Sequence, residues 1–166
     1  YLAVVRVPYR YERFMAFLHP NADPQGHGFQ LLQSLIAVGS GGFTGVGLME
    51  SKQKLFYLPE AHTDFIYAVL CEELGFLGGA VVLALFAIYT WRGLRAAFRA
   101  PDDLGRFLAL GITLMVASQA LINLSVVLGM MPTKGIPLPF VSYGGSSLFV
   151  MLLASGVLLN ISQQSG

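Results

Sequence analysis

Charged side chains are scarce in this chain of 166 residues, at 11% against about 25% in an average soluble domain. Hydrophobic residues make up 55%. A soluble fold needs charged residues to cover its surface, whereas a membrane protein presents an apolar surface to lipid. The composition, together with long apolar runs, therefore predicts an all-α polytopic membrane bundle.

Cysteine is nearly absent as well, since Cys71 is the only one. A single thiol excludes an internal disulfide and gives no indication of the redox compartment. The net charge is +1, and no basic cluster accompanies it, so no nucleic-acid partner is expected. The glycine-rich run 39–47 lacks the Lys-Ser/Thr ending of a nucleotide-binding loop, which argues against a P-loop.

The apolar runs predict three membrane-spanning helices, at 65–91, 104–128 and 146–161. A crossing needs about 20 residues, so the third run is adequate only if its helix begins earlier. The apolar run 29–38 is too short to cross and predicts an interfacial or re-entrant helix. The region 1–64 is interpreted as a helix end followed by a long loop. We therefore expect the chain to be a piece of a larger protein.

Arginines follow the first predicted span, in a short connection that holds Arg92, Arg95, Arg99 and Arg106 against Asp102 and Asp103. Short loops with excess Lys and Arg face the cytoplasm. The region 1–64 and the loop 129–145 are then both expected on the extracytoplasmic side.

Carboxylates stand out within and beside the first span. Glu72 and Glu73 lie inside it, where a charge at mid-depth costs at least about 2.5–3.5 kcal/mol and marks function by default. Asp64 lies at its edge, where it is a candidate general base for a hydroxyl group. The structural alternative is that Thr63 or Asp64 caps the helix. The sequence leaves both alternatives open.

Neighbours of these carboxylates give two further expectations. Small residues share the helical face of Asp64 and are predicted to leave room for a substrate: Ala68, Cys71 and Gly75. Gln119 and Asn123, one turn apart, are expected to form helix–helix hydrogen bonds. The structural alternative for Glu72 and Glu73 is the same kind of bonding, to Gln119, to Asn123 or to a further helix.

The loop GMMPTKGIPLPFVSYGG holds three prolines and a single charge, Lys134, and predicts a stiff non-helical lid. Lys134 is the candidate anion holder, with loop hydroxyls such as Ser142 beside it; the alternative is a lysine exposed to water. Further substrate-binding candidates are Lys54, Glu60, His62 and Gln33. Because no H-E-x-x-H spacing occurs, a dedicated zinc site is not expected; the metal ligands stay unassigned, and a Mg²⁺ or Mn²⁺ shared with substrate phosphates stays open. Such a site suits a lipid-linked, phosphorylated substrate.

Three ordered blocks carry a family resemblance: GFQLLQSLIAVGSGGFTGVGL, QKLFYLPEAHTDFIYAVLCEELG and GMMPTKGIPLPFVSYGGSS. They resemble the SEDS family, the FtsW, RodA and SpoVE proteins of bacterial cell-wall synthesis, over essentially the whole chain. The LPEAHTDF block and Thr133-Lys134 are more similar to the FtsW branch.

The resemblance implies that 1–166 is the C-terminal part of a single multi-pass domain in the bacterial cytoplasmic membrane, with its active loops on the extracytoplasmic side. It implies a peptidoglycan glycosyltransferase of cell division that polymerises lipid II and releases undecaprenyl diphosphate. The HTDF aspartate falls on Asp64 as the catalytic residue, and Lys134 would stabilise the leaving group. The implied partners are a class B penicillin-binding protein, other division proteins and membrane lipids. The isolated piece is expected to be inactive. The alternatives are a lipid II flippase that uses Glu72 and Glu73, and a non-catalytic division scaffold.

Overall fold

The computed structural model describes residues 27–47, 64–133 and 135–164, together with Met15 and Phe17. Its regular structure consists of four helices: α1 (His27–Ser40), α2 (Ile66–Arg99), α3 (Asp103–Val127) and α4 (Gly145–Gln164). No strand occurs within these described ranges, which confirms the predicted all-α class. The candidate residues Lys54, Glu60, His62 and Lys134 lie outside them.

Three of the helices, α2, α3 and α4, are long and apolar enough to cross a membrane, as predicted. α3 matches the predicted 104–128 to within a residue at each end. α4 has 20 residues and begins at Gly145, so its length is sufficient for a crossing.

The connection between α2 and α3 is much shorter than predicted. α2 continues to Arg99, and only Ala100–Asp102 separate it from α3, so the predicted loop that carried the arginines is wrong. Arginine is a good helix former, and the first strong helix breaker is Pro101, which pushes the preceding Ala100 to extended angles. The three arginines 92, 95 and 99 therefore belong to the end of α2.

Local sequence explains both ends of α3. Asp102 caps it, since its carboxylate accepts a hydrogen bond from Gly105 N at 2.9 Å. At the other end Gly129 adopts φ 70°, the left-handed geometry that terminates helices. This end meets α1, where the Ser34 hydroxyl shares its proton between Leu31 O of its own helix at 2.8 Å and the Val127 carbonyl at 3.2 Å. The start of the following loop is thereby held against α1.

α2 is interrupted at Gly75, which has φ 68° and ψ −165° inside the helix. The sequence predicted a spanning helix here but did not predict this break within it. Residues 41–47, which we call the glycine loop, join the two halves of α2 through four backbone hydrogen bonds. These bonds are Val46 N to Glu72 O (3.0 Å), Gly47 N to Glu73 O (3.2 Å), Phe76 N to Gly42 O (2.8 Å) and Leu77 N to Phe43 O (3.3 Å).

The glycines are required by this close approach. A β-carbon at Gly41 would overlap the Cys71 carbonyl, and one at Gly45 would overlap the Glu73 carbonyl. Within a bilayer, backbone groups freed by a break have no water to bind and must find protein partners. The glycine loop supplies these partners, so α2 can be broken without leaving these four groups unsatisfied.

Small residues also let α2 approach α3. A β-carbon at Gly93 would overlap the hydroxyl of the buried Thr113, which instead donates to its own helix at Ala109 O (2.7 Å). α4 is joined to α2 through Tyr89, whose hydroxyl lies 3.0 Å from Ser155 Oγ. Both contacts hold the bundle together beneath the loop that follows α3.

Candidate functional site

Asp64 lies directly before α2 and is half-buried. The N-cap of α2 is Phe65, and it makes no side-chain capping bond, so Asp64 is not the N-cap residue. Its carboxylate faces the loop between α3 and α4: Oδ2 would lie 3.0 Å from a β-carbon added at Gly135. The structure thus brings together the two segments that the sequence placed on one side of the membrane.

Two amide side chains of α3 hold this arrangement. Asn123 Nδ2 donates to the backbone carbonyl of Asp64 at 2.8 Å and to that of Ile136 at 2.7 Å. Gln119 Nε2 donates to the carbonyl of Pro137 at 2.9 Å. The predicted helix–helix hydrogen bonds of this pair are therefore wrong. The described residues of this loop form no helix or strand that would satisfy their carbonyls, so these amides provide the donors instead.

A tight turn follows in the same loop, and Ser142 closes it. Leu138 N donates to Ser142 Oγ at 2.6 Å, and Ser142 N donates to the Leu138 carbonyl at 3.0 Å. Phe140, inside the turn, has φ 64°, which is costly for a residue with a side chain. Its ring packs against Tyr89 at a centroid distance of 5.8 Å. Ser142 therefore has a structural role, and its predicted contact with substrate stays a prediction.

An open cavity of about 730 Å³ lies beside this turn. Its lining joins the start of α2, the turn and the start of α4: Ile66, 140–145 and Leu148. Most of this lining is apolar, with the Ser142 hydroxyl and backbone groups among the polar atoms. Ile66 is two residues after Asp64, but Asp64 itself does not line the cavity. A cavity of this size and character suits an amphipathic ligand.

The space predicted below Asp64 does not exist. Ala68 and Cys71 are buried in a cluster with Ala37 of α1 and Leu124 of α3. The glycine loop fills the position next to Gly75. The prediction failed because the small residues admit another part of the chain, which the spacing along one helix could not reveal. This face of α2 therefore offers no room for a ligand of Asp64.

Glu72 is 3% exposed, and Glu73 is half-buried, directly before the break in α2. Their backbone carbonyls bind the glycine loop. The amide nitrogens of Gln119 and Asn123 are directed to loop carbonyls and the Asp64 carbonyl rather than to these carboxylates. Gln33 lies half-buried on α1, and its part in substrate binding stays a prediction.

Within the described ranges, no group of three His, Cys, Asp or Glu side chains could hold a metal ion. Glu60 and His62, which the sequence offered as companions of Asp64, lie outside those ranges. The part of the site that sequence analysis missed is Gly135 and the carbonyls beside it. Glycine between Lys134 and two prolines was the available signal, because glycine permits close approach of other groups.

The geometry describes a polytopic membrane protein with a half-buried carboxylate held against a proline-rich loop. A family model described as "Cell cycle protein", that of the FtsW, RodA and SpoVE proteins, matches residues 1–166. The chain therefore belongs to the FtsW/RodA/SpoVE family, as the sequence resemblance implied.

Curated relatives agree with this assignment. The chain is 57% identical over 162 residues to "Stage V sporulation protein E" of Bacillus subtilis, covering 98% of this chain and 44% of the relative. It is 57% identical over 159 residues to "Probable peptidoglycan glycosyltransferase FtsW" of Trichlorobacter lovleyi, covering 96% and 42%. The chain thus spans less than half the length of these relatives.

A solved structure is similar over the same part. It is described as "Structural coordination of polymerization and crosslinking by a peptidoglycan synthase complex". The TM-score is 0.74 at 34% identity, and the match covers 99% of this chain and 44% of that chain. The arrangement of helices described above is therefore shared with a protein of that complex.

Proposed function

We propose that the full-length protein is a peptidoglycan glycosyltransferase that polymerises lipid II, and that Asp64 is its general base. The observation that carries the proposal is the carboxylate of Asp64 beside Gly135, in a family with members named for this activity. A half-buried carboxylate against a loop is positioned to accept a proton from a sugar hydroxyl.

The reaction follows from these groups. Asp64 takes the proton of the acceptor hydroxyl as its oxygen attacks the anomeric carbon of the donor. A new C–O bond forms as the bond from that carbon to the diphosphate breaks, and undecaprenyl diphosphate leaves with the electron pair. Negative charge grows on the diphosphate, so a cation nearby lowers the barrier. Lys134 is the proposed cation, because it is the neighbour in sequence of Gly135.

The orientation in the membrane is also proposed. Asp64 and Arg99 flank opposite ends of α2, a helix of 34 residues. The arginines near the second end favour the cytoplasm, which supports an extracytoplasmic position for Asp64. The remaining substrate-binding candidates, Lys54, Glu60, His62, Gln33 and Ser142, would act on that side. Proposed partners are lipid II, a class B penicillin-binding protein and other division proteins; the similar structure, described as a synthase complex, supports this class of partner.

The test is polymerisation of lipid II by the full-length protein in liposomes, with Asp64→Asn. The expected result is a loss of at least about 100-fold in rate, as is usual when a general base is removed. Asp103→Asn is the matched control, because Asp103 is an exposed carboxylate that pairs with Arg106 at 3.7 Å. It should keep the wild-type rate. Wild-type activity in Asp64→Asn would refute the proposal.

A flippase is the second candidate, favoured by Glu72. This side chain is 3% exposed and lies beside a break in a membrane-spanning helix, which is a feature of ion-coupled transporters. Translocation of labelled lipid II in vesicles discriminates between the two. Loss of translocation in Glu72→Gln or Glu73→Gln, with polymerisation intact, would favour transport. Loss of polymerisation alone in Asp64→Asn would favour the glycosyltransferase.

A further inference from the structure

The side-chain amide of Asn123 bonds two segments at once, the backbone of Asp64 and the loop between α3 and α4. Both hydrogens of its amide are used, one on the carbonyl of Asp64 and one on that of Ile136. Ile136 follows Gly135, and Gly135 faces the Asp64 carboxylate. One amide therefore fixes the backbone of the proposed base and the loop segment against which its carboxylate lies.

The free-energy cost of burying the Asn123 amide indicates that this side chain has a role besides stabilising the fold. Asn123 is 2% exposed, and its Oδ1 is buried with no hydrogen-bond partner among the described residues. An unsatisfied buried acceptor costs about 1–3 kcal/mol. This oxygen lowers the stability that the amide would otherwise contribute, so stability alone does not explain an asparagine here. The amide orientation is set instead by the two carbonyls that it joins.

Gln119 provides the internal comparison. It lies one turn earlier on the same helix and donates to Pro137, the residue after Ile136. Its amide holds the loop, but the structure gives it no bond to Asp64. Both side chains therefore stabilise the loop on α3, and of these two only Asn123 also bonds the proposed base.

We propose that Asn123 is a positioning residue that sets the distance between the Asp64 carboxylate and the loop at Gly135. The proposal rests on the proposed function of Asp64. Misplacement of a catalytic group by 1 Å can cost about 100-fold in rate. Loss of the amide should therefore lower kcat, while groups that bind the substrate elsewhere keep KM nearly constant.

The experiment compares Asn123→Leu and Gln119→Leu in the full-length protein, with lipid II polymerisation and thermal unfolding measured on the same samples. Leucine removes the donors in both variants: it keeps the branched heavy-atom shape of asparagine with bulkier methyl groups, and it is one heavy atom shorter than glutamine. The Tm of each variant is therefore compared before its kcat. The expected result for Asn123→Leu is a fall of about 10- to 100-fold in kcat with KM within about twofold. Gln119→Leu should lower kcat by less than about threefold at a similar loss of Tm. Ser118→Ala, whose hydroxyl bonds only Met115 O of its own helix, is the control.

Equal kcat losses for the two leucine variants at equal Tm would overturn the proposal and leave Asn123 with a structural role. If Asn123→Leu does not fold, Asn123→Ser decides, because serine keeps one donor. A lowered kcat with unchanged KM then supports positioning, and a wild-type kcat overturns it. Asp64→Asn in the same assay separates the two proposals. Activity in that variant refutes the proposed function, whereas an inactive Asp64→Asn with a fully active Asn123→Leu refutes only the positioning role.

Discussion

Gly135 faces the Asp64 carboxylate so closely that a β-carbon there would stand 3.0 Å from Oδ2. Few real β-carbons approach an oxygen so closely, so either the loop or the carboxylate would have to shift by a few tenths of an ångström. Substitution at Gly135 therefore displaces the carboxylate without removing it.

Gly135→Ala should lower the rate of lipid II polymerisation by about 10-fold while Tm changes little, because the shift is small and lies at the surface of the bundle. The measurement is the initial rate with the full-length protein in liposomes. Gly156→Ala is the control, since a β-carbon there meets nothing within 4 Å. An unchanged rate in Gly135→Ala would mean that the position of the carboxylate is not critical.

Gly41→Ala should destabilise the protein by about 3 kcal/mol or more, because the new methyl group overlaps the Cys71 carbonyl and the hydrogen bonds of the glycine loop cannot all survive. Thermal unfolding in detergent measures the effect. Gly39→Ala, two residues earlier, has open space around its β-carbon and should be neutral or stabilising by up to about 1 kcal/mol. Equal stability of the two variants would contradict the docked loop.

Gly93→Ala should weaken the packing of α2 on α3 by about 1–3 kcal/mol, because its methyl group meets the side chain of Thr113. Thr113→Ala removes the two atoms that lie nearest and leaves the Thr113 β-carbon at 3.1 Å. The double variant should therefore recover at least half of the Tm lost in Gly93→Ala. Gly111→Ala, with nothing within 4 Å, serves as the control. Additive losses in the double variant would show that the two residues do not meet.

Tyr89→Phe and Ser155→Ala should be coupled, because the two hydroxyls share one hydrogen bond of 3.0 Å between α2 and α4. Hydrogen bonds between membrane helices contribute about 0.6 kcal/mol on average. A double-mutant cycle on Tm or on unfolding free energy should give a coupling of that size. Tyr89→Phe combined with Ser118→Ala should give none. If the effects of Tyr89→Phe and Ser155→Ala are independent, the two hydroxyls do not form this hydrogen bond.

The sequence predicted most of what depends on neighbours along the chain. The bounds of α3 were predictable because Asp102 caps one end and Gly129 terminates the other. The end of α2 was missed, since the cluster of arginines was taken for a loop when Pro101 is the residue that stops the helix. Both helix ends depend on local propensity, and the error was to give the charge of the arginines more weight than their helix propensity.

The break at Gly75 could not be predicted, because its partners in the glycine loop lie about 30 residues earlier in the chain. A lone glycine in an apolar helix is tolerated and carries no mark of a break. The same limit applies to Asn123. Its spacing from Gln119 showed that both face one direction, but only the folded chain shows that they meet the carbonyls of Asp64 and of the loop. Asp64 was predicted as a candidate base because a carboxylate at the edge of an apolar run is conspicuous, and its catalytic role stays a prediction.

The four bonds across the break make two amides into reporters. Phe76 N and Leu77 N have no carbonyl to bind within a regular turn of α2, and they are covered only while the glycine loop is in place. In detergent, where water can reach an opened break, departure of the loop would leave these protons open to exchange with deuterium even though the rest of α2 stays helical. Hydrogen–deuterium exchange at these two amides, followed by mass spectrometry, therefore measures how often the glycine loop leaves α2. It does so separately from unfolding of the whole bundle.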